Sequence, residues 1–237
     1  MTVLGQAEIP QHLCRTSPSA LLRNTPQGGQ KVHRLFDGVV GTRLDRETYK
    51  EEFRELFFWA PGIRFLKLEA QQAFAEPGDP SWEAAFVGGD WEKALRLIDE
   101  KRTEYEQDKQ QMRDLGITSR RLRVVRLPLS PYLQWELQVL RLMGAICDEI
   151  RVLDVTHLQS HPAGGVLPEV VVIDGTTTYE VLYDDTGKLS GAIRRTDASL
   201  AASCRELISG WYEKNGDDVG EFCDRHLPQL PPPGLPR

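Results

Sequence analysis

Hydrophobic residues recur at helical spacing in several segments of the chain, and shorter apolar stretches lie between these segments. The first helical segment begins after Asp45, a suitable N-cap, and places Tyr49 and Phe53 on one side. A long charged segment runs from Asp90 to Gly116 with acidic and basic residues four positions apart, so we expect only one of its sides to be buried. The pattern predicts helices over residues 44–60, 82–86, 90–116, 130–149 and 198–216.

The stretches between the helices have the short length and the apolar alternation that are typical of strands. The first of them alternates around Phe65, Lys67 and Glu69, and the last two are joined by the turn DDTG, in which Gly187 can adopt a positive φ. Strands are predicted over residues 63–74, 120–127, 150–155, 169–175, 177–185 and 190–197. Because helices and strands alternate along the chain, we predict an α/β fold with a central mixed sheet flanked by helices.

Composition divides the chain into a body and two irregular ends. The 237 residues are 40% hydrophobic and 27% charged, which is typical of a globular protein with a sizeable core. We predict a flexible arm over residues 1–31, a single α/β domain over 32–225 and a proline-rich tail over 226–237. Four widely spaced cysteines form no Cys-x-x-Cys pair, so we expect reduced thiols at Cys14, Cys147, Cys204 and Cys223.

Charge and hydropathy limit the partners that we expect. No apolar run is long enough to cross a bilayer and the first residues lack a signal-peptide pattern, so we expect a cytoplasmic protein without a membrane partner. The net charge of −6 argues against a protein that coats nucleic acid indiscriminately. A local basic face could still bind phosphates.

The segment RRLRVVRLPLSPYLQWEL, residues 120–137, joins a strand to a helix that begins at Ser130-Pro131. Alternation directs Arg121 and Arg123 to one face of the strand. Guanidinium groups bind phosphate oxygens bidentately, which makes four arginines candidates for a phosphate contact: Arg120, Arg121, Arg123 and Arg126. The alternative is a solvated strand edge whose charge is neutralised by carboxylates of the preceding helix.

Tyr132 and Glu136 lie four residues apart on the predicted helix and therefore share a face. A phenol and a carboxylate in this arrangement could clamp an ammonium group. In the alternative interpretation Tyr132 packs in the core and Glu136 pairs with an arginine of the neighbouring strand. Glu69, at the end of the first predicted strand, is a further candidate base.

The chain lacks the common motifs for metal, nucleotide and covalent catalysis. His157 and His161 have a four-residue spacing, but Pro162 and two glycines place them in a loop without further ligands. The GxGxxG, Walker and GxSxG patterns are absent. We therefore expect neither a metal nor a cofactor.

Five motifs follow one another between residues 64 and 215: FLKLEAQQAFAEP, RLRVVRLPLSPYLQWEL, IRVLDV, VVVIDG and YDDTGKLSGA. This order resembles a large actinobacterial family of uncharacterised proteins that are often encoded beside helix-turn-helix regulators. The arm matches poorly, and residues 142–148 depart from the family pattern. The end of the chain, from VVVIDG to GWYEK, also resembles one half of a phospholipase-D-like fold, although the His-x-Lys pair of that superfamily is missing.

The pattern Tyr-Leu-x-x-Glu formed by Tyr132 and Glu136 is similar to a short motif of tRNA-dependent cyclodipeptide synthases, without the early serine that those enzymes need. This resemblance implies a transferase of specialised, antibiotic-type metabolism that moves an aminoacyl group from aminoacyl-tRNA to a small acceptor. The four arginines would hold the tRNA backbone, while Tyr132 and Glu136 would hold the substrate amine and Glu69 would assist. The alternative is a non-catalytic regulatory or ligand-binding module that partners a helix-turn-helix regulator.

Overall fold

An eight-stranded sheet forms the centre of the computed structural model, which describes residues 35–59, 61–74, 76–158 and 167–227. Its order is β1-β7-β6-β5-β2-β3-β4-β8, with β2, β3 and β4 parallel and every other pair antiparallel. The strands are β1 (Thr42–Asp45), β2 (Arg64–Glu69), β3 (Thr118–Val125), β4 (Glu149–Asp154), β5 (Glu169–Ile173), β6 (Thr177–Tyr183), β7 (Leu189–Thr196) and β8 (Asp217–Asp218). The predicted α/β fold with a mixed sheet flanked by helices is confirmed.

The helices divide unequally between the two faces of the sheet. Six of the helices described pack on one face, and α6 packs on the other face together with Phe36. The helices are α1 (Arg46–Trp59), α2 (Pro80–Phe86), α3 (Trp91–Asp99), α4 (Arg102–Leu115), α5 (Pro131–Ile146), α6 (Ala198–Asn215) and α7 (Val219–His226). We call the first face the six-helix face.

Strand alternation decides which side chains reach each face. On β3, Leu122 and Val124 join the core under α6, while Val125 joins the core of the six-helix face. Arg121 and Arg123 have the same parity as Val125, so their side chains also lie on the six-helix face. The connections from β2 to β3 and from β3 to β4 both run through helices of that face, which places α5 above the parallel strands.

The helix caps lie at the residues that the sequence predicts. The Asp45 carboxylate accepts the Thr48 N–H at 2.8 Å, and the Ser130 hydroxyl oxygen accepts the Leu133 N–H at 3.2 Å. Gly116 ends α4 with a φ of 66°, in the left-handed region that favours glycine. The predicted turn between β6 and β7 is also confirmed.

The prediction of one helix over residues 90–116 is wrong, because the chain turns between α3 and α4. The Lys101 N–H donates to the Ile98 carbonyl at 3.1 Å, three residues back, and its ammonium group binds Asp79 at 2.6 Å. No glycine or proline marks this turn, and the charged pattern continues through it. Both helices contact α5. The pattern also gave no sign of β1, β8 and α7.

Parts of the sequence predictions fall outside the described residues. These parts are the arm over residues 1–31, residues 228–237 of the tail, Cys14 and His161. The division into arm, domain and tail therefore stays a prediction. The other three cysteines carry free thiols. Among the helices described, none has the length and apolar character that a membrane span requires.

Gly191 of β7 lies against the backbone of β1, with a φ of 142°. A Cβ at this position would lie 2.1 Å from the Leu44 carbonyl oxygen. We expect Gly191→Ala to lower the free energy of unfolding by about 2–4 kcal/mol. Gly175→Ala is the matched control, because nothing lies within 4 Å of a Cβ there, and it should change stability by less than about 1 kcal/mol. Urea unfolding measures the free energy of unfolding of both variants. Equal losses of stability would contradict the close approach of Gly191 to β1.

Candidate functional site

The charged residues of β2 and β3 lie side by side because the two strands are parallel. Lys67 lies opposite Arg121, and Glu69 lies opposite Arg123. All four side chains are on the six-helix face, where Lys67 is half-buried and the other three are buried. Glu69 and Arg123 have exposed fractions of 0%. Buried charges at this density require partners, because an unpaired ion in the interior is strongly unfavourable.

Arg123 connects the sheet to α5. Its Nε and Nη2 atoms both lie 2.7 Å from Oε2 of Glu136. Its Nη1 atom donates to the carbonyl oxygens of Glu69, at 3.3 Å, and Val124, at 3.1 Å. The guanidinium group also faces the Phe74 ring, with 5.6 Å to the ring centroid. The interpretation in which Glu136 pairs with an arginine of the neighbouring strand therefore describes the observed contact.

Arg121 lies between two carboxylates from different elements. Its Nη1 donates to Oε2 of Glu69 at 3.1 Å, and its Nε lies 3.4 Å from Oδ2 of Asp148, which follows α5. The Lys67 ammonium group binds the other oxygen of Glu69 at 2.5 Å. Burial alone would raise the pKa of Glu69, but the charges of Arg121, Lys67 and Arg123 outweigh it and lower the pKa to about 2. Glu69 is therefore a carboxylate at neutral pH.

Tyr132 places its hydroxyl group between two carboxylates. The hydroxyl oxygen lies 3.3 Å from Oε1 of Glu136 and 3.3 Å from Oε1 of Glu76. A phenol carries one proton, so it donates to only one of these oxygens at a time. Burial raises the pKa of Glu136, and the negative charge of Glu69 adds to this against the opposing charge of Arg123. Burial also raises the pKa of Tyr132, which keeps the phenol protonated.

A small cleft, here called the acidic cleft, opens beside this group of side chains. Its volume is about 30 Å³, which is enough for one or two water molecules or the head group of a small ligand. Val139 and Lys101 at its wall are partly exposed. The lining residues are Glu76, Asp79, Lys101, Arg121, Trp135, Glu136, Val139, Leu140 and Met143.

Several aromatic rings pack around Trp135 and Tyr132, and Trp135 lines the acidic cleft. Tyr132 lies 5.6 Å from Trp135 and 5.8 Å from Phe74, measured between ring centroids. Phe86 contacts both Tyr132 and Trp135. The indole N–H of Trp135 is buried and has no acceptor among the described residues. The site thus combines carboxylates, aromatic rings and a donor without a partner.

The structure brings five of the seven residues proposed from the sequence together: Glu69, Arg121, Arg123, Tyr132 and Glu136. Arg120 is exposed instead, where it binds Glu149 at 2.7 Å and lies over the Tyr212 ring. Arg126 is exposed beyond the end of β3. Whether any of the seven acts in catalysis or tRNA binding stays a prediction.

Four further polar residues of the site were missed by sequence reasoning: Glu76, Asp79, Lys101 and Asp148. Glu76 and Asp79 belong to a predicted loop, and Asp148 is the last residue of the segment 142–148 that departs from the family pattern. Their proximity depends on contacts across dozens of residues, which no local pattern shows. Among the described residues, no group of three or more side chains is suited to hold a metal ion.

A family model with the description "Domain of unknown function (DUF6879)" matches residues 51–222, which is well over half of the chain. The match agrees with the resemblance to an uncharacterised family. The matched range, residues 51–222, contains every residue that lines the acidic cleft. No curated protein matches the chain.

Arg123→Met would leave Glu136 buried without the guanidinium group that forms its ion pair. We expect this change to lower the free energy of unfolding by about 3–5 kcal/mol, and we expect Arg123→Met/Glu136→Met to recover most of that loss. Arg120→Met breaks an ion pair whose two partners are both exposed, and as a control it should lower stability by less than about 1 kcal/mol. Urea unfolding tests all three. A double variant as unstable as the single one would contradict the pairing argument.

Proposed function

The chain belongs to the family described as a domain of unknown function, DUF6879, and we propose that it is a non-catalytic ligand-binding module. Its ligand is a small molecule whose cationic amine head enters the acidic cleft. The observation that carries this proposal is the position of the Tyr132 hydroxyl between Glu76 and Glu136. An ammonium group beside the phenol would be attracted by both carboxylates, since the single phenol proton is donated to only one of them at a time.

The charge and the volume of the acidic cleft both favour an amine as the ligand. Three carboxylates and two cationic side chains line the cleft, so the wall has an excess of negative charge when all five are ionised. The volume of about 30 Å³ suits a small head group such as a primary ammonium. The neighbouring aromatic rings are a common surface for organic cations.

The position of Trp135 favours a ligand that also carries an oxygen atom. Its buried indole N–H lacks an acceptor among the described residues, and its side chain lines the cleft. An oxygen next to the amine would satisfy this donor. An amino alcohol therefore suits the cleft better than a simple alkylamine.

We also propose the setting that the family resemblance implies. The chain would act in the cytoplasm of an actinobacterium, where its ligand-bound form would engage a helix-turn-helix regulator. Free thiols at Cys147, Cys204 and Cys223 are consistent with a reducing compartment. Co-purification of the chain with a regulator encoded beside it, with and without an amine, tests this part.

The amine site can be tested by titrating the protein with ethanolamine and ethylamine while the Trp135 indole N–H is followed by NMR. A ligand of so few atoms cannot bind tightly, so we expect a Kd in the range of about 1–10 mM. Ethanolamine should bind more tightly than ethylamine, because only ethanolamine offers an oxygen to the indole N–H.

Two variants separate binding in the cleft from nonspecific effects. Glu136→Gln should weaken binding at least about tenfold, and Val139→Phe should block the cleft without changing its charge. Glu92→Gln, on the exposed side of α3, is the control and should bind like the unmodified chain. If Glu136→Gln and Val139→Phe both bind ethanolamine as the control does, the acidic cleft is not the binding site.

A second candidate function is aminoacyl transfer from aminoacyl-tRNA to a small acceptor. It is favoured by the same amine clamp, because Tyr132 and Glu136 would hold the aminoacyl amine. It requires cations for the tRNA backbone, whereas Arg121 and Arg123 are buried in ion pairs. Arg120 and Arg126 are the exposed members of the predicted set.

Electrophoretic shifts with charged and uncharged total tRNA at two salt concentrations test this second function. If it holds, Arg120→Ala/Arg126→Ala should weaken binding and reduce the salt dependence by about two phosphate contacts. Arg43→Ala/Arg141→Ala removes the same charge from other exposed positions and is the matched control. The absence of any shift at low salt would contradict aminoacyl transfer and leave the amine-binding module unaffected.

A further inference from the structure

Lys101 places an ammonium group of the chain itself in the wall of the acidic cleft. Its Nζ atom lies 2.6 Å from Oδ2 of Asp79, and its side chain has an exposed fraction of 16%. Asp79 lines the same cleft, and its side chain is buried. The cleft that we propose to bind an amine therefore already contains one bound ammonium group.

Hydrogen bonds of the backbone hold both partners of this ion pair in place. The Lys101 N–H donates to the Ile98 carbonyl oxygen at 3.1 Å, and the Lys101 carbonyl oxygen accepts the Tyr105 N–H at 3.0 Å. The Asp79 N–H donates to the Glu76 carbonyl oxygen at 2.8 Å. The charge of Lys101 is thus a fixed feature of the cleft wall.

The two oxygens of the Asp79 carboxylate have different partners. Oδ1 caps α2, where it accepts the Ser81 N–H at 2.8 Å, the Ser81 hydroxyl at 2.6 Å and the Trp82 N–H at 3.2 Å. Oδ2 binds the Lys101 ammonium group. Burial alone would raise the pKa of Asp79, but the charge of Lys101 and these hydrogen bonds outweigh it and lower the pKa. Asp79 is therefore a carboxylate at neutral pH.

The charges of the cleft wall leave a place for one further cation. The ionisable side chains that line the cleft are Glu76, Asp79, Glu136, Lys101 and Arg121. When all five are ionised, the negative charges exceed the positive charges by one. A bound ammonium group balances this excess, whereas a second one finds no negative excess and is repelled by Lys101.

Lys101 also lies where a ligand has to pass. Of the residues that line the cleft, Lys101 and Val139 are half-buried and the others are buried, so the cleft is open on the side of these two. An ammonium head beside Glu76 and Glu136 directs the rest of its ligand towards this open side. A second charge on the ligand would therefore come close to the Lys101 ammonium group.

We propose that Lys101 is the specificity-determining residue of the acidic cleft: it admits ligands with a single ammonium group and excludes diamines. This inference rests on the proposed amine site and defines its class of ligand more closely. A fixed like charge selects between ligands by weakening the binding of the wrong one. Lysine suits this role because its ammonium group is a compact point charge.

The role of the charge can be separated from that of the side-chain volume. Lys101→Met removes the ammonium group and keeps an unbranched apolar side chain. It leaves Asp79 without its ion pair with Lys101, so the wall carries one more uncompensated negative charge. A diamine can then place one ammonium group beside Glu136 and the other beside Asp79.

Titrations with butylamine and putrescine at neutral pH and low salt, followed through the Trp135 indole N–H by NMR, test the proposal. The two ligands share one carbon chain and differ in the second ammonium group. We expect the unmodified chain to bind butylamine at least about threefold more tightly than putrescine, and Lys101→Met to reverse this preference. Lys101→Arg keeps the charge, and Lys93→Met removes an exposed lysine of α3. Both controls should retain the preference for butylamine.

The outcomes distinguish this inference from the amine site on which it rests. If Lys101→Met binds butylamine and still prefers it, the specificity role is overturned and the amine site stands. If putrescine binds Lys101→Met while neither ligand binds the unmodified chain, exclusion by Lys101 is supported and the amine site is overturned. Binding of neither ligand to any of the proteins overturns both. If Lys101→Met does not fold, the unmodified chain decides alone, because binding of putrescine as tight as that of butylamine overturns the proposal.

Discussion

The ion pair between Arg123 and Glu136 joins a central strand to the helix above it, and the arrangement of the polar core depends on this contact. Arg123 is completely buried, so its charge requires a carboxylate, and α5 provides one in the single orientation that brings Glu136 over β3. Apolar packing between a helix and a sheet tolerates small rotations, whereas a bifurcated guanidinium contact does not. The pair therefore fixes the position of Tyr132 and of the cleft wall that α5 supplies.

The remaining carboxyl groups of the core are held in different states by the same arginines. Glu69 is surrounded by positive charge and remains ionised, while Glu169 has Glu69 as its nearest charged neighbour on β2 and titrates near neutral pH. The pKa values of Glu69 and Glu169 thus differ because of their charged neighbours. Burial does not explain the difference, because both groups are buried. Groups whose pKa values are separated in this way are frequent at binding sites, although purely structural networks also produce them.

The fold could largely be predicted from the sequence, because alternation and helical spacing are local properties. The faces of β3 and the shared face of Tyr132 and Glu136 follow directly from these periods. The turn at Lys101 could not be predicted, since the ion pair that holds Lys101 there joins it to Asp79, 22 residues away. The polar site could be predicted only in part for the same reason. Arg121 reaches Glu69 across 52 residues, and this contact depends on the register of β2 and β3.

The distribution of the helices over the two faces has a consequence for the synthesis of the chain. The second face of the sheet is covered mainly by α6, and the edge strand β1 pairs with β7. Both partners are encoded near the carboxyl end, so a nascent chain that has made β2 to β5 exposes an uncovered apolar surface and an unpaired β1. Such long-range pairing slows folding and leaves intermediates prone to association. The apolar surface under α6 and the edge at β1 are therefore covered only after residues 189–215 have been made.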